Sequence, residues 1–198
     1  MAQELALRHP DRVGALVLGA TTPGGPRAMP QDAQVLAFFA RAGGMGREEA
    51  EWAAVPYSYG ERTRRSHGRR IAEDIEHRLS HTQSRFAYVP DSVAYLGQAM
   101  AAAAPVTFNR LADITAPTLV VHGAQDRIHS PENARMLADS IRGAELALWP
   151  EAGHVYMTDE PEADRGVARF LHRHAGALRG REAHFDDGAA PRVGPSGR

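Results

Sequence analysis

The sequence predicts an α/β fold on a parallel sheet, and three observations carry that prediction. Thr118-Leu119-Val120-Val121-His122 is a short apolar run stopped by Gly123, and Glu145-Leu146-Ala147-Leu148-Trp149 is a second, stopped by Pro150. Both read as buried strands. Between them, Pro131 to Ile141 has helical character, and strand, helix, strand at this spacing makes a parallel crossover. Finally, Asp126 and His154 each stand just past the carboxyl end of a strand, where open parallel sheets bind their ligands.

Taken in order, Met1 to His9 has helix-forming composition and Pro10 stops it. No Ser, Thr, Asp or Asn precedes Ala2 as a cap, so the helix starts as if in mid-element. Val13 to Gly19 is almost continuously apolar, the pattern of a strand covered on both faces. Pro23-Gly24-Gly25-Pro26 breaks regular structure. Residues 27–108 then read as a helical insertion over the sheet. Its expected helices are Gln31 to Ala42, with Val35, Leu36, Phe38 and Phe39 on one face; Arg47 to Val55; Arg64 to Arg85; and Asp91 to Ala104. In Arg64 to Arg85 only Ile71, Ile75 and Leu79 keep an apolar rhythm, which predicts a helix mostly open to water. The sheet resumes near Leu111. A last helix starts at Glu160-Pro161 and carries Val167, Phe170 and Leu171 on one face, with Pro161 suited to its first turn. Residues 1–26 and 109–174 therefore form the core, and residues 175–198 a disordered tail poor in apolar groups.

Composition narrows the function. A net charge of -1 with pI near 6.8 gives no electrostatic reason to expect nucleic acid or an anionic membrane. All 23 basic residues are Arg, and cysteine is absent, which removes disulfides, thiolate metal sites and a cysteine nucleophile. No apolar run approaches the roughly 20 residues that span a bilayer, and the first ten residues lack the apolar centre of a signal peptide. The expectation is a soluble, cytoplasmic protein without metal or organic cofactor.

A carboxylate and an imidazole at neighbouring strand ends can pair, the carboxylate fixing the ring's tautomer and leaving its other nitrogen as a base. His122-Gly123-Ala124-Gln125-Asp126-Arg127-Ile128 and Pro150-Glu151-Ala152-Gly153-His154 resemble the acid and histidine motifs of the α/β-hydrolase fold, in the family's order. The resemblance maps Asp126 onto the catalytic acid and His154 onto the catalytic base. It extends over Met1 to His174: Ala2 to Thr21 is similar to the helix and strand after the nucleophile elbow, and the helical middle to a cap domain.

One departure matters. The family's Gly-x-Ser-x-Gly turn precedes the first helix, and here Ser58, Ser66, Ser80, Ser84, Ser92, Ser130, Ser140 and Ser196 all lack that frame. The expectation is the carboxyl-terminal half of a hydrolase: an incomplete α/β-hydrolase parallel sheet with an inserted helical cap, Met1 being an internal methionine or a misplaced start. The complete form is expected to cleave a small ester, lactone or amide by a nucleophile-His-acid triad, with this chain inactive alone. A non-catalytic remnant, serving as a ligand-binding or interaction module, is the alternative. The strand at Val13 to Leu18 would then have an open apolar edge, which invites self-association.

The other candidates read blandly. His122 reads as packing at a strand end. His172 and His174 point to different faces, and His77 and His81 read as a solvated face. Trp52, Tyr57, Tyr59 and Tyr95 have the make-up of a pocket lining under the cap, but core packing is the commoner fate of aromatics in such helices and is the expectation here, and Gly24-Gly25 marks a turn.

Overall fold

The computed structural model describes residues 1–85 and 107–176, with the backbone alone for 81–85. The expected helix 91–104, Tyr95 and the tail beyond residue 176 lie outside the described residues.

Three parallel strands form one sheet in the order β1 (Leu16–Gly19), β2 (Thr118–Gly123), β3 (Glu145–Trp149). Leu16 lies opposite Thr118 and Gly19 opposite Val121; Leu119 lies opposite Glu145 and Gly123 opposite Trp149. Because β2 has a partner on each side, all six of its residues are buried. Its successive side chains feed opposite cores. Val120 joins Leu16, Leu18, Leu111, Leu137 and Ile141 beneath α1 (Ala2–Arg8), while Val121 joins Ala152, Tyr156 and Ala163 on the other face.

Two expectations about the strands are corrected. β1 is shorter than Val13 to Gly19: ladder bonding starts where the Leu16 amide meets the Pro117 carbonyl, and Val13 lies ahead of the strand, packed in the core. β3 is only partly buried: among the described residues it pairs with β2 alone, and its Glu145 and Leu146 are exposed.

The helical middle is described as α2 (Ala33–Ala42), α3 (Arg47–Ser58), α4 (Glu61–Ser66) and α5 (Gly68–Arg85). Asp32 caps α2 by accepting the Gln34 amide at 2.7 Å. Val35 and Phe38 face inward, but Leu36 points outward and is 52% exposed, because one turn of α2 cannot bring all four apolar residues to one face. α3 runs on through Pro56 to Ser58, and Trp52 is exposed on it, against the core expectation. The expected helix from Arg64 to Arg85 is two helices, broken at His67. Ile71 and Ile75 are buried with Tyr59, and Leu79 packs beside them, as the rhythm predicts. The charged face is not wholly solvated, for Arg78 pairs with Glu51 and Asp74 and donates to the Tyr59 hydroxyl at 3.0 Å.

After β2 come α6 (Pro131–Ser140) and β3, then α7 (Tyr156–Asp159) and α8 (Glu162–His174). Pro161 sits at the cap of α8, one residue ahead of its first turn. Phe170 is buried, whereas Leu171 is exposed beside Leu5 in a groove of about 650 Å³ between α1, the start of β1 and α8. Among the described residues, no helix is long and apolar enough to cross a membrane.

Candidate active site

The two strand ends converge as the spacing predicts. Asp126 follows β2 and His154 follows β3, and His154 Nδ1 lies 2.9 Å from Asp126 Oδ2. The carboxylate is buried, with no side-chain exposure, while the ring is 28% exposed. Local backbone geometry makes the junction possible: a Cβ at Gly123 would stand 2.1 Å from the Gly153 carbonyl oxygen, so only glycine lets the two loops touch.

Asp126 is saturated with donors. Its Oδ1 accepts the amides of Ile128 at 2.8 Å and His129 at 2.9 Å, the side chain closing a turn on its own loop. Its Oδ2 accepts from His154 Nδ1 and lies 3.0 Å from His122 Nε2. Burial alone would raise this carboxyl, but the hydrogen bonds from His122 and His154, with the His154 charge and the His129 amide, hold it well below the usual carboxylate range. An ionised carboxylate only accepts, so Nδ1 of His154 carries a proton, and in the neutral form of the ring the lone pair is on Nε2. Among the described residues, Nε2 has no hydrogen-bond partner.

His122 packs at its strand end with no exposure, as expected, but it does more. Its Nε2 faces both Asp126 Oδ2 and the His129 carbonyl at 2.9 Å, both acceptors, so that nitrogen is the donor; Nδ1 is buried without a partner. The His129 ring lies 5.6 Å from that of His154. Burial, and then the neighbouring His154 charge, pushes His129 down. Nothing in the sequence distinguished His129 from a solvent-facing loop residue, since its contact is made by a residue 25 positions away.

The acid loop also grips the helical middle. Gln125 Oε1 accepts the Glu61 amide at 2.7 Å; Arg127 pairs with Asp32 at 2.7 Å and stacks over the Tyr57 ring at 5.1 Å. Asn133 Oδ1 accepts the Met29 amide at 2.8 Å. Tyr59 is buried, and burial followed by its bond to Asp74 pushes its hydroxyl up. His77 is exposed, and His172 and His174 do not converge, His174 packing on Phe170 instead. Among the described residues, no group of three or more His, Cys, Asp or Glu has a metal-holding arrangement.

A parallel sheet with helices on both faces, an acid after one strand and a histidine after the next defines the α/β-hydrolase class. The description of the serine aminopeptidase S33 family matches residues 1–161, and the chain belongs to that family. It is 26% identical over 178 residues to a Bacillus subtilis protein provisionally named a 2-succinyl-6-hydroxy-2,4-cyclohexadiene-1-carboxylate synthase, covering 86% of this chain and 61% of that one. A thermophilic esterase from Thermogutta terrifontis superposes with a TM-score of 0.62 at 26% identity, over 87% of this chain and 61% of its own. A structure titled Est816, an N-acyl homoserine lactone degrading enzyme, gives 0.61 at 27% identity, over 85% and 61%. The chain thus spans 61% of the length of each of these relatives.

Proposed function

We propose that Asp126 and His154 are the acid and base of a hydrolase that cleaves a small ester, lactone or amide through a nucleophile-His-acid triad. The bond from His154 Nδ1 to Asp126 Oδ2 carries this reading, because it commits Nδ1 as the donor and leaves Nε2 as the nitrogen available to take up a proton, on a ring that is 28% exposed. In the complete enzyme, Nε2 takes the proton of the attacking hydroxyl and returns it to the leaving group, while the ionised Asp126 stabilises the imidazolium. The esterase and lactone-degrading relatives support this substrate range. The helices α2 to α5 serve as the cap of residues 27–108, and the setting is cytoplasmic, which the absence of cysteine suits.

The nucleophile comes from a Gly-x-Ser-x-Gly turn, which these 198 residues do not contain. Ser58 and Ser66 keep only the second glycine of that frame, Gly60 and Gly68, and Ser196 keeps only the first, Gly194; Ser58 is also buried. The same observation favours a second reading, a ligand-binding or interaction module without catalysis. The two separate cleanly when the chain is joined to a family amino-terminal segment bearing the Gly-x-Ser-x-Gly turn. The hydrolase reading expects turnover of p-nitrophenyl acetate or a γ-lactone, lost in His154→Ala. Turnover indifferent to His154, or none from a folded joined protein, defeats it.

A further inference from the structure

The loop carrying His154 is anchored by a group the acid-base chemistry does not use. Asp159, the last residue of α7, is 1% exposed, and its Oδ2 accepts two backbone amides: Gly153 at 2.7 Å and Gly60 at 2.9 Å. Its Oδ1 is buried without a partner. A buried carboxylate is costly unless donors meet it, so these two amides hold Asp159 as firmly as it holds them.

The two amides belong to different parts of the chain. Gly153 immediately precedes His154, whereas Gly60 is the cap of α4 in the helical middle. The main chains meet here with no room for side chains. A Cβ on Gly60 would fall 1.9 Å from the Glu151 carbonyl oxygen, and one on Gly153 would fall 2.6 Å from that of Ser58. On the other side of His154, the Val155 amide donates to the Ser58 carbonyl at 3.0 Å. Both neighbours of His154 are therefore pinned, one through Asp159 and one through the end of α3. With both peptide flanks fixed, the ring has its Nδ1 aimed at Asp126.

We infer that Asp159 is the positioning residue of the His154 loop, and that it locks that loop to the α3–α4 link, so that the seat of the helical middle and the aim of His154 form one coupled unit. The functional weight of this inference rests on His154 being the base; its structural content does not.

The test is hydrogen exchange on the full chain, read by mass spectrometry at single residues, in wild type, Asp159→Ala and Asp159→Asn. In wild type the Gly60 and Gly153 amides exchange slowly and at matching rates, since one carboxylate oxygen closes both. In Asp159→Ala both speed up together by about tenfold or more. Exchange at the imidazole C2 of His154 changes with them, while Leu119 to Val121 in β2 keep their protection. Asp159→Asn, whose carboxamide oxygen still accepts both N–H groups, restores the slow rates. The inference fails if the two glycine amides in wild type exchange at rates more than about tenfold apart. It also fails if Asp159→Ala weakens β2 as much as the glycines or leaves His154 unmoved. Should Asp159→Ala not fold, the wild-type and Asp159→Asn rates decide the matter alone. Failure of the joined enzyme to hydrolyse would sink the catalytic reading and leave these rates in place; uncoupled glycines would do the reverse.

Discussion

Replacing Asp126 with Asn isolates the charge at the centre of the cluster. Asn keeps an oxygen for the Ile128 and His129 amides, at 2.8 and 2.9 Å in the parent. On the other side it turns an NH₂ toward His122 and His154, which donate there now. His154, partly exposed, can move its proton to Nε2 and accept from the amide; it then ceases to be a base. His122 is fully buried and keeps only the His129 carbonyl. One charge-assisted pair becomes a weaker neutral one and one donor loses half its partnership, a cost of about 2–4 kcal/mol in urea unfolding. The pH dependence is more specific. The Asp126 carboxyl is lower in the folded state than the ordinary 3.8, so its contribution is fully present above pH 3.8 and is lost as pH falls below it. The slope from one group is at most about 1.4 kcal/mol per pH unit. Glu4, Asp32 and Glu132 also have lowered carboxyls and remain, so the acid limb shrinks in Asp126→Asn without vanishing. Urea midpoints at fixed protein concentration from pH 7 to pH 2.5 measure this. An acid limb of unchanged slope would refute the account of Asp126 as an ionised, four-donor hub.

Other outcomes follow from the same geometry. His129 is held below its ordinary 6.5, so the unfolded chain takes up a proton first and stability declines as pH falls through 6.5; His129→Gln removes that stage, and an unchanged curve counts against it. Gly123→Ala drives a Cβ to 2.1 Å from the Gly153 carbonyl oxygen and 2.4 Å from that of Ala152, all backbone, and costs about 3 kcal/mol or more, whereas Gly68→Ala, with nothing within 4 Å, is neutral or stabilising in thermal scans. β1 pairs only with β2 among the described residues, and Leu5 and Leu171 are 53% and 43% exposed beside it, so sedimentation velocity should show self-association that Leu5→Glu with Leu171→Glu relieves; a monodisperse wild-type monomer would count against this. A serine-directed fluorophosphonate should leave the chain unlabelled, and stoichiometric labelling at Ser58 or any other serine would overturn that expectation.

The sequence by itself determined the parallel sheet and the pairing of Asp126 with His154. Both follow from local signals: apolar runs stopped by Gly123 and Pro150, with a carboxylate and an imidazole a few residues past each stop. The rhythm of Ile71 and Ile75 was equally legible, because a helix face is a local property. What only the tertiary structure decided depends on which segments meet. β3 is exposed because nothing pairs beyond it among the described residues, and no apolar run announces its own place in the strand order. Trp52 and Leu171 look like core residues in isolation, but their exposure is set by neighbours distant in sequence. His122, His129 and Asp159 were invisible as parts of the site for the same reason. Asp159 at the end of a short helix is a local conflict with the helix dipole, a hint with no partner attached. The partners, amides at Gly60 and Gly153, are main-chain groups that every residue carries, so only the folded chain shows why a carboxylate is buried there.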